Sequence, residues 1–241
     1  KIIKIMFINI LKLFSKKIRF HATNKVEKDM ISNYFPINRS IVVIPNFIEI
    51  PEVLNLKKKK QILFLGRINP IKNIDLLIKS YIELPDNIKS SFKLKIVGQA
   101  KLGYEKKYKN KLEQLIRKNN MVDNIELLGP MYGKNKDIII SESYVLVLPS
   151  KSENFGNVIL ESLSQKTPVI VSKYAPWDIV SKNEAGYCVE TSIDHIKKKI
   201  LFIINLNKEE YKILQENALN LVTDNFDINK NIDTWIKYYR S

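Results

Sequence analysis

Two glutamates separated by seven residues are the strongest candidates for chemistry in this sequence. Glu153 and Glu161 lie in the segment SENFGNVILE, where a polar loop follows the apolar run YVLVLP and leads into a helical pattern. The backbone amides at the start of such a helix point outward and can bind an anion. A carboxylate only accepts hydrogen bonds, so beside a bound phosphate each glutamate is suited to paired sugar or ribose hydroxyls. Taken singly, either residue could instead be a helix cap or an exposed helical side chain.

A second candidate site is the segment FLGRINPIKN. An apolar strand ends at Gly66, where the missing side chain lets a ligand approach the backbone. Asn69 and Pro70 are typical of a helix cap and first turn, which places Lys72 at a helix N-terminus, where a cation is disfavoured. A shared anion such as a diphosphate would relieve that conflict and would also suit the guanidinium of Arg67. The alternative is two solvated basic residues in a basic protein.

Alternating strands and helices would position these residues. Apolar, strand-like runs alternate with helical patterns such as Ile74–Leu84 and Tyr104–Asn119. Several runs are almost continuously apolar, as parallel strands covered on both faces are. The alternation predicts an α/β fold with a Rossmann-like, doubly wound parallel sheet, which binds ligands at the carboxyl ends of its strands. The predicted strands are Ile41–Ile44, Gln61–Leu65, Phe92–Val97, Asn124–Leu128, Tyr144–Leu148 and Pro168–Val171.

The ends of the chain lie outside this sheet. Residues 1–40 are interpreted as a helix, a short strand at Arg19–Thr23 and a second helix at Lys25–Tyr34. Ile228–Tyr239 carries apolar residues at helical spacing. The chain begins with Lys1 rather than methionine, which suggests a fragment or a processed chain.

Composition limits the partners and the compartment. The formal net charge of +15 suits a phosphate-bearing substrate, an anionic membrane surface or nucleic acid, although a solvated basic surface explains it equally simply. No helix-turn-helix, RNA-recognition or zinc signature is present, so we expect no nucleic-acid partner. The single cysteine, Cys188, fits a reducing cytoplasmic setting. The opening segment KIIKIMFINILKLF is too short to span a membrane but could lie on its inner face, or pack against protein.

The segment LPSKSENFGNVILESLSQKTPVIVS resembles the signature of the retaining GT-B glycosyltransferases called group 1 or family 4. IPNFIE resembles the interdomain linker of that family, FLGRINPIKNIDLLIKSY its phosphate-binding strand, loop and helix, and LKIVGQA its next strand and glycine turn. APWDIV and EAGYCVE resemble the continuation found in members that build bacterial surface polysaccharides. The resemblance covers roughly residues 20 to 240, and its ordered motifs are specific.

The resemblance implies a role for each candidate. Arg67 and Lys72 would neutralise the diphosphate of a UDP- or GDP-linked sugar, and Glu153 would hold hydroxyls of the donor sugar beside the reacting carbon; these three are the catalytic candidates. Glu161 would bind the ribose, and the base would lie near Gly129–Met131. No metal or other cofactor is expected. The remaining donor-binding candidates are Gly66, Asn154, Phe155, Gly156 and Asn157.

The implied function is transfer of a sugar, of the hexosyltransferase type and with retention of configuration, to a glycan or lipid-linked acceptor. Residues 1–43 would be a remnant of the acceptor-binding domain with its linker, 44–225 the nucleotide-sugar-binding domain, and 226–241 a helix that packs toward the missing domain. His21 and His195 do not match the histidine of the family and are expected to be structural. This chain alone is expected to bind the donor with weak or absent transfer. A binding subunit that works with a separate acceptor domain and a nucleotide-sugar epimerase of the same fold remain alternatives.

Overall fold

The computed structural model describes residues 20–34 and 41–240. These residues form two parallel sheets, several α-helices and a short 3₁₀ turn at Pro70–Lys72. The strands are β1 His21–Ala22, β2 Val42–Val43, β3 Gln61–Leu65, β4 Lys93–Val97, β5 Ile125–Leu128, β6 Val145–Leu148, β7 Val169–Ser172 and β8 Gly186–Val189. The helices are α1 Lys25–Tyr34, α2 Ile74–Ile82, α3 Asp86–Lys89, α4 Gly103–Lys118, α5 Gly133–Glu142, α6 Asn157–Ser164, α7 Ile179–Lys182, α8 Ile193–Ile204, α9 Lys208–Asn225 and α10 Ile228–Arg240.

The main sheet contains six parallel strands in the order β5-β4-β3-β6-β7-β8. The chain builds outward from β3 through β4 to β5, then returns to the other side of β3 and builds outward again through β6. This reversal makes the sheet doubly wound, and the crevice between the carboxyl ends of β3 and β6 is its topological switch point, where such folds bind ligands. The predicted α/β, doubly wound parallel sheet is confirmed.

Helices cover both faces of this sheet. On one face α2 packs against α4 and α8, and on the other α6 packs against α5 and α9. Because both faces are covered, all residues of β3, β6 and β7 are buried, which explains their nearly continuous apolar sequences. The buried side chains of the sheet and its helices form one contiguous core.

Two strands differ from the prediction. The run Ile41–Ile44 does not join the main sheet; its central residues Val42–Val43 pair with His21–Ala22 in a separate two-stranded sheet. The sixth strand of the main sheet is instead Gly186–Val189, which pairs with β7 at the edge. Sequence patterns did not reveal it because the strand has only four residues and begins with a glycine, a residue that is unfavourable in strands.

The final helix returns to the start of the described chain. The bridge between Ile48 and Asp227 leads into α10, and the ring of Trp235 lies 4.6 Å from the imidazole of His21. None of the residues of α10 is fully buried, and Tyr239 is 75% exposed. The predicted opening helix falls outside the described residues. No helix in the described part of the chain has the length and apolar character needed to cross a membrane.

Candidate functional site

Two loops meet at the switch point, and each follows a central strand. Residues 66–73 connect β3 to α2, and residues 149–156 connect β6 to α6. The backbone amide of Lys151 donates to the carbonyl of Ile71 at 2.8 Å, and the side chain of Asn73 donates to the carbonyl of Pro149 at 3.2 Å. These hydrogen bonds place the two predicted site segments side by side.

Lys72 and Glu153 form an ion pair across these loops. The Lys72 Nζ atom lies 2.5 Å from Glu153 Oε2, and the two side chains are only 14% and 11% exposed. The hydroxyl of Ser150 donates a further hydrogen bond to the same carboxylate oxygen at 3.1 Å. Asn69 caps the 3₁₀ turn Pro70–Lys72 through its side-chain oxygen. Lys72 is the last residue of this turn, and α2 begins only at Ile74, so Lys72 lies just before the helix and not in its first turn as predicted. The cation predicted to need an anionic partner therefore has one within the protein, the Glu153 carboxylate.

The loop before α6 presents free backbone amides. Across the described ranges, the N–H groups of residues 154–157 donate no hydrogen bond. Gly156 has a φ of 82°, and a Cβ atom there would lie 3.0 Å from Ile159 Cδ1, so this turn into the helix requires glycine. Phe155 anchors the loop to the core. Its carbonyl accepts a hydrogen bond from the indole N–H of Trp177, and its ring packs on that indole. The free amides have the arrangement of an anion site.

A cavity of about 330 Å³ opens at the carboxyl ends of β3 and β4 and reaches Val158 and Glu161 of α6. Lys72, Glu153 and residues 154–157 are not among the residues that line it. Arg67 and Glu161, which belong to different site segments, both line it. Among the described residues Arg67 has no ion-pair partner, so its guanidinium remains available to an anion. Of the segment Gly129–Met131, predicted to lie near the base, the last two residues line the cavity and Gly129 does not. The lining residues are Leu65, Gly66, Arg67, Val97, Gly98, Gln99, Pro130, Met131, Tyr132, Lys136, Val158 and Glu161.

Lys136 is a site residue that the sequence patterns did not identify. Its Nζ atom lies 2.8 Å from Glu161 Oε1, and the two side chains are 26% and 31% exposed. Lys136 lies in the first turn of α5, in the segment GKNKD, where a cation is unfavourable without an anionic neighbour. The same argument that singled out Lys72 could therefore have found it.

Close backbone packing supports the floor of the cavity. A Cβ atom on Gly98 would lie 1.9 Å from the carbonyl oxygen of Gly66, so the strand ends of β3 and β4 touch only because residue 98 is glycine. The buried carboxylate of Glu105 accepts hydrogen bonds from the Asn69 side chain at 2.9 Å and from two amides at the start of α4. Hydrogen bonding, chiefly from Asn69, lowers the pKa of Glu105, which keeps it ionised as a fixed link between two loops.

Two segments outside the main sheet, one at the start of α1 and one after β2, contact the same loop. The side-chain amide of Asn24 donates to the carbonyl of Asn154 at 2.8 Å, and the amide of Asn46 donates to the Asn157 side chain at 2.9 Å. Burial disfavours the ionised form of Glu27, but hydrogen bonds from Thr23 and from the Asn154 side chain outweigh it and lower its pKa. The loop of Glu153 is therefore also fixed by contacts from outside the main sheet, which come from residues 24, 27 and 46.

The two histidines and the cysteine lie apart from the cavity. His21 bonds to the carbonyl of Ile44 at 2.7 Å, and the ring of His195 contacts the hydroxyl of Ser192 at a helix cap. Burial raises the pKa of the Cys188 thiol, which makes it a poor nucleophile. Nowhere in residues 20–34 and 41–240 do three His, Cys, Asp or Glu side chains group closely enough to hold a metal ion.

Comparison with known proteins identifies the family. The profile described as glycosyl transferases group 1 matches residues 46–221, which include both loops and both glutamates. The chain belongs to this glycosyltransferase family. Among its relatives, an uncharacterised glycosyltransferase of Methanocaldococcus jannaschii is 34% identical over 158 residues, covering 65% of this chain and 41% of the relative. An α-1,4-N-acetyl-D-galactosaminyltransferase of Campylobacter jejuni is 29% identical over 186 residues, covering 76% and 48%.

Solved structures of glycosyltransferases have the same architecture. HepE of Anabaena, solved with UDP and glucose, superposes with a TM-score of 0.83 at 17% identity and covers 97% of this chain and 66% of its own. TarM superposes with a TM-score of 0.81 at 23% identity, covering 97% and 46%. This group 1 chain therefore has the fold of GT-B glycosyltransferases. It spans 41% to 59% of the length of the first three curated relatives.

Proposed function

We propose that this group 1 chain is the donor-binding part of a retaining, family 4 hexosyltransferase. It binds a UDP- or GDP-linked sugar at the switch point, and the complete enzyme transfers the sugar to a glycan or lipid-linked acceptor. The observation that carries the proposal is that Arg67 and Glu161, from segments predicted to share one ligand, line a single cavity. Its volume of about 330 Å³ lies within the range of small-molecule sites.

Arg67 in this cavity, together with donors on the two loops at the switch point, suits a diphosphate. Arg67 offers a planar set of donors that is free of ion pairs in the described part of the chain, and the free amides of 154–157 lie at the start of α6. The ammonium of Lys72 has three donors, so it can keep its bond to Glu153 and still bind a phosphate oxygen. When the glycosidic bond breaks, negative charge on the leaving diphosphate is stabilised by these groups, which is where fixed donors contribute most to rate.

In this proposal the two carboxylates bind different parts of the nucleotide-sugar donor. Glu153 lies in the loop next to the free amides, and we assign to it hydrogen bonds from the sugar hydroxyls and stabilisation of positive charge on the sugar ring. Glu161 is the fifth residue of α6 and lines the cavity together with Met131. This position suits binding of the ribose hydroxyls, with the base against residues 130–132. Lys136 would hold the Glu161 carboxylate in position. No metal is needed for this scheme.

The relatives support the substrate classes. The solved structures of HepE contain UDP, and the C. jejuni relative is named for a glycan carried on undecaprenyl diphosphate. By analogy we assign a nucleoside-diphosphate sugar as donor and a glycan or lipid-linked glycan as acceptor. Because this chain spans 41% to 59% of the first three relatives, a separate acceptor-binding region completes the enzyme, either on a longer chain or as a subunit. Transfer by this chain alone is expected to be weak or absent.

Nucleotide titration tests the donor site. Calorimetry with UDP and GDP should give saturable binding to the folded protein. Arg67→Ala should weaken that binding by about tenfold or more, because it removes a charged donor set. Arg117→Ala, an exposed arginine in the last turn of α4, is the matched control and should bind as the wild type does. A folded protein that binds neither nucleotide at millimolar concentration, or equal losses in both variants, would contradict the donor assignment.

Product analysis tests the rest of the proposal. With a complete acceptor-binding region present, retention predicts that the new glycosidic bond has the anomeric configuration of the donor, which NMR of the product reads directly. Conversion of the nucleotide-sugar into its epimer in the absence of acceptor would instead favour the epimerase alternative.

A further inference from the structure

A second and larger cavity lies on the helix layer beside the site. It is a groove of about 590 Å³ between α2 and α4, which we call the lysine groove. Its floor is partly apolar, with Leu112 and Leu115, and its rim is basic. The amines that line it come from three separate elements: Lys79 on α2, Lys107 and Lys111 on α4, and Lys151 in the loop after β6.

The positive charge of the groove is largely uncompensated. Asp75 is its single acidic lining residue, and its carboxylate accepts a hydrogen bond from the Tyr108 hydroxyl at 2.6 Å and lies 3.8 Å from Lys79. The side chains of Lys107, Lys111 and Lys151 have no ion-pair or hydrogen-bond partner anywhere in the described ranges. Three unpaired ammonium groups around one concavity produce a focused positive potential.

The composition of α4 increases this potential. Its sequence GYEKKYKNKLEQLIRK contains six basic and two acidic residues. Both acids are already engaged: Glu105 is buried in hydrogen bonds to the loops, and Glu113 pairs with Lys109 at 3.6 Å. The basic side chains that face the groove are therefore not neutralised by their own helix.

We propose that the lysine groove binds an anionic polysaccharide chain, one that carries phosphate, sulfate or carboxylate groups along a sugar backbone. Lys107 and Lys111 lie one helical turn apart, about 6 Å along the axis, so they can meet successive anionic groups of an extended chain. Tyr104, which is 52% exposed at the groove, offers a ring face to the C–H groups of a sugar. The identification of the bound polymer as a glycan rests on the proposed transferase function. The binding of a polyanion in the groove does not depend on that function.

Two other polyanions fit the groove less well. A bilayer surface is flat and meets protruding side chains, whereas these amines surround a concavity. Single-stranded nucleic acid is bound by stacking successive bases on several aromatic side chains, whereas Tyr104 is the one well-exposed aromatic ring among the residues that line the groove and Tyr108 is half-buried. Lys151 belongs to the loop of Glu153, so a chain bound in the groove would have one end beside the candidate transfer site.

Binding of a labelled heparin hexasaccharide tests the proposal by fluorescence anisotropy at low ionic strength. The wild-type chain should bind it saturably, maltohexaose should not compete, and Lys107→Gln with Lys111→Gln should weaken binding by about tenfold. The matched control is Lys208→Gln with Lys212→Gln, two exposed lysines with the same spacing on α9, which should retain wild-type affinity. UDP affinity should be unchanged in both double variants. Failure of the wild-type protein to bind UDP would contradict the donor site but would leave the polyanion site of the lysine groove unaffected.

Three results would overturn the lysine groove as a glycan site. The first is absence of hexasaccharide binding to the folded wild-type protein. The second is an equal loss in the two double variants, which would mean that affinity follows net charge and not the groove. The third is tighter binding of an oligothymidylate of equal charge, or of phosphatidylglycerol vesicles, with the same dependence on Lys107 and Lys111.

Discussion

The charged side chains at the switch point occur mostly in pairs of opposite sign. Lys72 pairs with Glu153 and Lys136 with Glu161, at 2.5 Å and 2.8 Å. Each pair is largely neutral, so the carboxylates do not repel an incoming diphosphate as two isolated glutamates would. Arg67 then remains as the unpaired cation of the described cavity lining. In the proposed function, this pairing would let the two acidic residues bind hydroxyl groups next to a bound phosphate.

Gly156 is the single residue on which the loop of Glu153 depends most directly. Gly156→Ala should lower the free energy of unfolding by about 1 to 2 kcal/mol, because its φ of 82° is unfavourable for alanine and the new methyl group would crowd Ile159 and Glu153. Urea denaturation measures the change. Gly103→Ala is the control, since a Cβ atom there meets nothing within 4 Å; a loss of similar size in that variant would show that the loop conformation is not the cause.

At the scale of elements, the site depends on contacts between segments that are distant in the chain. Strands β3 and β6 are neighbours in the sheet, which brings together loops about eighty residues apart, and α1 approaches the second loop from the opposite side. Asn24 has two functions in this contact. Its oxygen caps α1 by accepting from the Glu27 amide at 2.9 Å, and its side-chain amide donates to Asn154.

Two substitutions of Asn24 separate these functions. Asn24→Asp keeps the capping oxygen but removes the donor to Asn154, and Asn24→Ala removes both. If α1 positions the loop, both variants should speed hydrogen exchange of the amides at 154–157 and weaken nucleotide binding by about threefold. Ser32→Ala, which alters a hydrogen bond internal to α1, should change neither. A variant Asn24→Asp with wild-type exchange and affinity would show that only the helix cap matters.

At the scale of the whole molecule, the excess of basic residues is distributed unevenly. The formal net charge is +15, and part of the excess lies in the lysine groove, where four lysines and one aspartate line a single concavity. At the switch point, by contrast, Lys72 and Lys136 are each paired with a glutamate. One lysine differs from these in its protonation. Lys58, in the segment before β3, is placed against Thr167, with its Nζ atom 2.5 Å from the threonine hydroxyl, and burial lowers its pKa to about 7.

Lys58 should make the stability of the molecule depend on pH. Between its pKa of about 7 in the folded chain and its ordinary value of 10.5, the unfolded chain binds more protons, so this contribution to stability increases as pH rises through that window. Lys58→Met should therefore raise the free energy of unfolding by about 1 kcal/mol near pH 7, with a gain that shrinks toward pH 10. Denaturation of the variant at both pH values, beside the exposed control Lys57→Met, measures this. A gain independent of pH, or equal in the control, would contradict it.

Much of the fold could be predicted because its signals are local. Five of the six strands of the main sheet follow apolar runs, and helices such as Ile74–Ile82 follow the expected spacing within two residues. The edge strand Gly186–Val189 was missed because it is short and begins with a glycine. The run Ile41–Ile44 was assigned to the wrong sheet because pairing partners are not encoded in the run itself.

The sequence by itself determined the alternation of strands and helices, the family motifs and the residues that carry charge at the ends of strands. Only the tertiary structure decided which charges meet. Lys72 and Glu153 are 81 residues apart and form a pair because β3 and β6 are neighbours, and the lysine groove exists because α2 packs beside α4. Local patterns reflect the burial and conformation of single segments, whereas the pairing of distant side chains depends on strand order and packing, which all segments determine together.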